Sequence, residues 1–95
     1  MSEEDPLEQR TIHFSGRVQG VGFRYTTERL ARGRDVGGFV KNLPDGRVML
    51  LVEGHAAEVE RFVAAVESSM RRYIADVQTV IKPTHGEFQG FTIRH

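Results

Sequence analysis

What most narrows the fold of this chain is the order in which its hydrophobic period switches between two and about 3.6. Ile12, Phe14 and Gly16 alternate with His13, Ser15 and Arg17, as in a half-buried strand. Val18-Gln19-Gly20-Val21-Gly22 follows as a loop with two glycines, and then Phe23, Thr27, Leu30 and Ala31 recur at helical spacing over residues 23–33. Residues 36–42 read as a second strand. Leu43-Pro44-Asp45-Gly46 is a turn, because Pro presets φ and Gly supplies the permissive position. Val48, Leu50 and Val52 give a third strand, 47–53, an apolar face, so the pair predicts a hairpin that Gly54 ends. Val59, Phe62, Val63, Val66 and Met70 mark an amphipathic helix over 56–70. Alternation returns over 74–82, residues 83–86 turn, and Phe91-Thr92-Ile93 closes as a short strand. The order is β-α-β-β-α-β with an extra terminal strand. Split βαβ units of this order pack two helices on one face of an antiparallel sheet, an α+β two-layer sandwich.

Composition sets the scale. With 95 residues, 39 % of them hydrophobic, the chain can fill one core and not two. Residues 1–9 show no apolar periodicity and hold Glu3, Glu4, Asp5 and Glu8 without a base, so they are expected to be a disordered acidic tail on a domain of residues 10–95. No internal repeat is present. Absence of Cys excludes disulfide scaffolds, thiolate zinc sites and cysteine nucleophiles. No apolar run approaches a membrane span, and the acidic start is unlike a secretory signal. These features favour a cytoplasmic protein, and a small neutral domain is most simply a monomer. Thirteen Lys and Arg balance thirteen Asp and Glu, which removes any global field for nucleic acid. Yet residues 10–47 carry eight bases against three acids, a local bias that suits either an anionic ligand or a solvated face.

Ser15-Gly16-Arg17-Val18-Gln19-Gly20-Val21-Gly22-Phe23-Arg24 is the most informative stretch. Gly20 and Gly22 permit a tight turn whose N–H groups converge. Neither Val21 nor Gly22 offers a side-chain oxygen to cap the helix that follows. Arg24 stands in the first helical turn, where a cation opposes the helix dipole by about 0.3–1 kcal/mol. An anion at the helix start removes all three costs, since a phosphate takes the free N–H groups and pairs with the Arg24 fork. Spacing alone equally allows a plain connecting loop with Arg24 in solvent. Neither G-x-x-x-x-G-K-[ST] nor G-x-G-x-x-G is present. Asn42, at the end of the second strand, can donate to and accept from a water, although Asn beside Pro-Asp-Gly is also ordinary turn chemistry.

Other candidates are weaker. His13, His55, His85 and His95 are scattered, without an H-x-x-x-H pair, so no metal is expected. Ser15, Ser68 and Ser69 lack a G-x-S-x-G setting. Glu58, Glu60 and Glu67 fall on the solvent side of the second helix, and Phe39, Phe62, Phe88 and Phe91 are packing residues.

The glycine loop together with Gly38-Phe39-Val40-Lys41-Asn42-Leu43-Pro44-Asp45-Gly46-Arg47-Val48 resembles the acylphosphatase family. Two separate segments carry the likeness: Val-Gln-Gly-Val-Gly-Phe-Arg in a strand-loop-helix setting, and Gly-Phe-Val-Lys-Asn with its downstream Gly-Arg-Val. It runs from about Ile12 to Ile93. The resemblance implies a ferredoxin-like sandwich and hydrolysis of the carboxyl–phosphate anhydride of small acyl phosphates, with neither metal nor cofactor. By the same resemblance Arg24 binds the phosphoryl group and Asn42 holds the attacking water. The cradle amides then belong to Gln19, Gly20, Val21, Gly22, Phe23 and Arg24. Phosphoryl transfer needs mainly positioning and charge neutralisation, so the lack of an activated side-chain nucleophile points to water, its proton passing to a substrate oxygen.

Two departures from the family pattern stand out. Arg34-Asp35 replaces a frequent Leu-Gly pair, so the first helix is expected to finish differently. Ser69-Met70-Arg71-Arg72-Tyr73 lacks a Gly-Pro step found in many relatives. RNA-binding domains share the βαββαβ order, but the polar face of the first strand offers His13, Ser15 and Arg17 in place of stacking aromatics. Larger carbamoyl-phosphate-using maturation proteins begin with a similar domain and continue into cysteine-rich zinc segments, whereas this sequence has no Cys, so a free-standing hydrolase is the expectation.

Overall fold

The computed structural model of the chain describes residues 6–95. Five strands and two helices follow one another as β1 (Leu7–Gly16), α1 (Phe23–Ala31), β2 (Val36–Asn42), β3 (Val48–His55), α2 (Ala56–Ser69), β4 (Ile74–Pro83) and β5 (Phe91–Arg94). A single 3-10 turn, Arg71–Tyr73, takes the place of the missing Gly-Pro step between α2 and β4. The sheet order is β4-β1-β3-β2-β5. Neighbours are antiparallel except β5, which lies parallel to β2 through Gly38↔Phe91 and Val40↔Ile93. The sheet is therefore mixed at one edge and not wholly antiparallel, because the last strand reaches β2 by the long return across residues 84–90.

Register explains which residues are buried. Phe14↔Val48 and Ile12↔Leu50 pair across β1 and β3, and Val40↔Leu50 and Gly38↔Val52 pair across β2 and β3. These residues share one face, and Phe62, Val59, Val63 and Val66 of α2 with Phe23 and Ala31 of α1 close over it. Ring contacts tie the layers: Phe14 to Phe23 at 5.0 Å and Phe62 to Phe91 at 5.6 Å between centroids. Gly38 admits no side chain, since a Cβ there would lie 1.9 Å from the Leu51 carbonyl oxygen.

Three expectations need correction. β1 begins at Leu7, inside the segment assigned to the tail, and Leu7, Glu8 and Gln9 pair with His55, Gly54 and Glu53. For the same reason Gly54 does not end β3: its backbone is held by Glu8 on one side and Val36 on the other. Residues 1–5 of the expected tail lie outside the described residues. Third, α1 stops at Ala31, two residues short of the expected end, with Gly33 supplying the left-handed step at φ 79° and Arg34 N–H closing on the Ala31 carbonyl at 3.1 Å. The Arg34-Asp35 pair lies between the helix and β2, as expected.

The opposite sheet face is partly covered by residues 84–90. Glu53, buried there, accepts hydrogen bonds from Gln9 Nε2 (3.1 Å), Thr84 Oγ1 (3.0 Å), Phe88 N (2.6 Å) and Glu87 N. Burial pushes the Glu53 carboxyl upward, but those four donors outweigh it and hold the group below its ordinary value. Phe88 packs edge-on against Phe39 at 5.8 Å, and the Arg94 guanidinium lies 3.9 Å above the Phe39 ring centre.

Candidate active site

A cavity of about 380 Å³ opens where the β1–α1 loop meets the ends of β2 and β5. Gly20, Gly22, Phe23 and Arg24 line it from the loop and the helix start, Asn42 from the end of β2, and Ile93 and His95 from β5 and beyond. Strand register brings Asn42 there. It stands two residues after Val40 on the helix side of the sheet, the side on which Ile93 pairs with Val40. The cavity is therefore assembled from residues far apart in sequence.

The loop itself is shaped by Gly20 at φ 78° and Gly22 at φ 82°, ψ 18°, left-handed conformations that side chains other than glycine adopt at a cost of about 1–2 kcal/mol. Gly22 is the cap of α1 and makes no side-chain bond to the helix. The first helical bond runs from Thr26 N–H to the Gly22 carbonyl at 2.9 Å. The N–H groups of Gly20, Val21, Gly22, Phe23, Arg24 and Tyr25 meet no acceptor among the described residues. Such a run of unsatisfied donors at a helix start favours an anion.

Gln19 is committed elsewhere. Its Nε2 donates to the carbonyls of Leu43 (2.8 Å) and Arg47 (2.9 Å), tying the loop to the β2–β3 turn. That turn is itself closed by Leu43 N–H on the Arg47 carbonyl at 2.8 Å and by Arg47 N–H on Asp45 Oδ1 at 3.1 Å. The Arg47 backbone N–H, with its side chain, holds the Asp45 carboxyl below the usual value. Gln19 thereby couples the loop to the segment that carries Asn42. The side chains of Gln19 and Val21 lie outside the cavity lining, so any contribution of theirs to a bound anion comes from the backbone.

No Asp or Glu side chain lines the cavity, and Arg24 is the charged side chain that does. Arg24 Nη1 lies 3.2 Å from His95 Nδ1 and 3.4 Å from the Arg94 carbonyl oxygen. A guanidinium has no lone pair, so both neighbours accept and Arg24 is held by weak, replaceable partners at the cavity wall. The Asn42 amide makes no hydrogen bond among the described residues and is free to bind water or substrate. Among those residues no group of three His, Asp or Glu side chains is placed to hold a metal ion.

Of the residues singled out from sequence, Arg24, Asn42, Gly20, Gly22 and Phe23 converge on this cavity. Tyr25, Ile93 and His95 were missed. In the sequence His95 is one of four scattered histidines, and the parallel seating of β5 beside β2 brings it to Arg24.

The acylphosphatase family model matches residues 10–93. The acylphosphatase of Haloarcula marismortui is 42 % identical over 84 residues, covering 87 % of this chain and 91 % of that one. That of Archaeoglobus fulgidus is 53 % identical over 57 residues, 60 % of this chain and 64 % of its own length. The crystal structure of the acylphosphatase from Bacillus subtilis superposes with a TM-score of 0.82 at 34 % identity, covering 93 % of this chain and 99 % of that one. With the family model spanning residues 10–93 and a relative 42 % identical across most of both chains, the chain belongs to the acylphosphatase family.

Proposed function

We propose that the chain hydrolyses the carboxyl–phosphate anhydride of small acyl phosphates in this cavity, with Arg24 binding the phosphoryl group and Asn42 holding the attacking water. The observation that carries the reading is the run of acceptor-free N–H groups from Gly20 to Arg24 beside a guanidinium, in a cavity lined by no Asp or Glu side chain. Those donors match the oxygens of a phosphoryl group, where charge must be neutralised as the P–O bond to the carboxylate lengthens. The leaving group is a stabilised carboxylate and needs no acid. Water approaches from the Asn42 side, opposite the departing acyl group, and hands its proton to a phosphoryl oxygen. No side-chain base is part of this scheme. The reading includes a metal-independent, cytoplasmic monomer whose partner is a small molecule, not nucleic acid or membrane. The described residues contain no helix long and apolar enough to cross a membrane.

The test is turnover of benzoyl phosphate, followed by its ultraviolet absorbance in excess chelator, for wild type, Arg24→Ala and Asn42→Ala. Circular dichroism confirms that each variant is folded. Both substitutions are expected to lower kcat/KM by about a hundredfold or more, the scale of removing one preorganised group from a charged transition state. Full activity in folded Arg24→Ala protein, or in folded Asn42→Ala protein, overturns the assignment of that residue.

A further inference from the structure

With the phosphoryl group taken by the loop, the acyl group must leave the cradle across whatever lines the cavity mouth. Tyr25 borders that mouth from the first turn of α1, directly after Arg24, and Ile93 faces it from β5. Successive helical side chains diverge by about 100°, so Tyr25 flanks the site that Arg24 enters instead of entering it. Tyr25 is 72 % exposed, the most exposed large hydrophobic side chain among the described residues. Its ring stacks on no other ring and its hydroxyl makes no hydrogen bond among them. Packing does not account for an aromatic side chain held in water at this position. The wall it forms with Ile93 is apolar, and no Lys or second Arg lines the cavity to meet a charged acyl group. We infer that Tyr25 is a specificity-determining residue, whose ring covers the acyl group of the substrate and selects apolar, above all aromatic, acyl phosphates over short polar ones.

This inference rests on the phosphoryl group lying in the loop. Contact with one ring face removes about 50 Å² of apolar surface from water, which corresponds to about tenfold in affinity. The experiment measures KM and kcat for benzoyl phosphate and acetyl phosphate with wild type, Tyr25→Phe and Tyr25→Ala, alongside inhibition by inorganic phosphate. Tyr25→Ala is expected to raise the ratio of the benzoyl to the acetyl KM by about tenfold, with the change in KM exceeding that in kcat. Tyr25→Phe, which keeps the ring, should keep the wild-type ratio. An unchanged ratio in Tyr25→Ala overturns the inference, and so does a loss shared equally by both substrates and by phosphate inhibition, which marks a role in shaping the helix start. Arg24→Ala in the same series separates the two levels. If it is inactive while the Tyr25→Ala ratio is unchanged, only the acyl contact fails; if it retains full turnover, the placement of the phosphoryl group fails.

Discussion

The Gln19 side chain shows how one residue can serve geometry from outside the cavity lining. Its two bonds to Leu43 and Arg47 carbonyls lie in the exposed rim between the loop and the β2–β3 turn. Exposed bonds of this kind contribute little to stability because water replaces them readily. Their effect is on position: with the bonds gone, loop and Asn42 no longer move as one body. Gln19→Ala is therefore expected to lower kcat/KM by about tenfold while changing unfolding free energy by less than about 1 kcal/mol. Urea denaturation and benzoyl phosphate kinetics on the same preparation check this, and a stability loss without a kinetic one contradicts it. Arg24 illustrates the converse. It is held by the Arg94 carbonyl and His95, and on the proposed reading a phosphoryl group replaces these partners in the bidentate manner a guanidinium favours.

Among elements, the segment between β4 and β5 depends on one buried carboxylate. Glu53 gathers donors from β1 and from residues 84–88, and so fastens the return that delivers β5 to β2. Because its pKa in the folded chain lies below the ordinary value of about 4.5, the unfolded chain binds this proton first as pH falls. Its contribution is then complete above that value and is lost as pH drops through the folded pKa. Glu53→Gln is expected to cost about 2 kcal/mol at pH 7, since an amide presents one oxygen and two unwanted N–H groups to four donors. The deficit against wild type should shrink in acid, and urea titrations at pH 7 and pH 3.5 measure it. A deficit that is equal at both pH values contradicts the charge-based account. Since β5 carries Ile93 toward the cavity, the same substitution should also loosen the cavity wall.

At the scale of the molecule one core supports everything. The radius of gyration is 12.7 Å, close to the value of about 12 Å expected for a single compact domain of this length. Phe62 is fully buried at its centre, where α2 packs on the sheet and its ring meets that of Phe91. Phe62→Ala should cost about 3–5 kcal/mol, a large part of the roughly 5–15 kcal/mol that holds a domain folded. The loss should appear as one cooperative transition at lower urea, with activity disappearing over the same range. Separate transitions for fluorescence and activity contradict a single cooperative core. The cavity shares that core through Phe23, which packs on Phe14 and also lines the site, so site geometry and global stability are coupled.

Local chemistry was legible in the sequence wherever it repeats along the chain. Period-two and helical patterns outline the five strands and both helices, whereas the uncapped glycine loop with Arg24 leaves an anion site and a plain connecting loop equally open until the family resemblance is added. The patterns follow from steric preferences and burial within a few neighbouring residues. The tertiary structure decided what depends on pairing across long separations. It joined Leu7, Glu8 and Gln9 to the end of β3, carried β3 through Gly54, and laid β5 parallel to β2. It also brought Ile93 and His95 to Arg24 and Asn42, and gathered four donors on Glu53. None of these contacts has a local signature, because strand register is chosen by which face of the whole sheet is buried and not by the residues that happen to meet there.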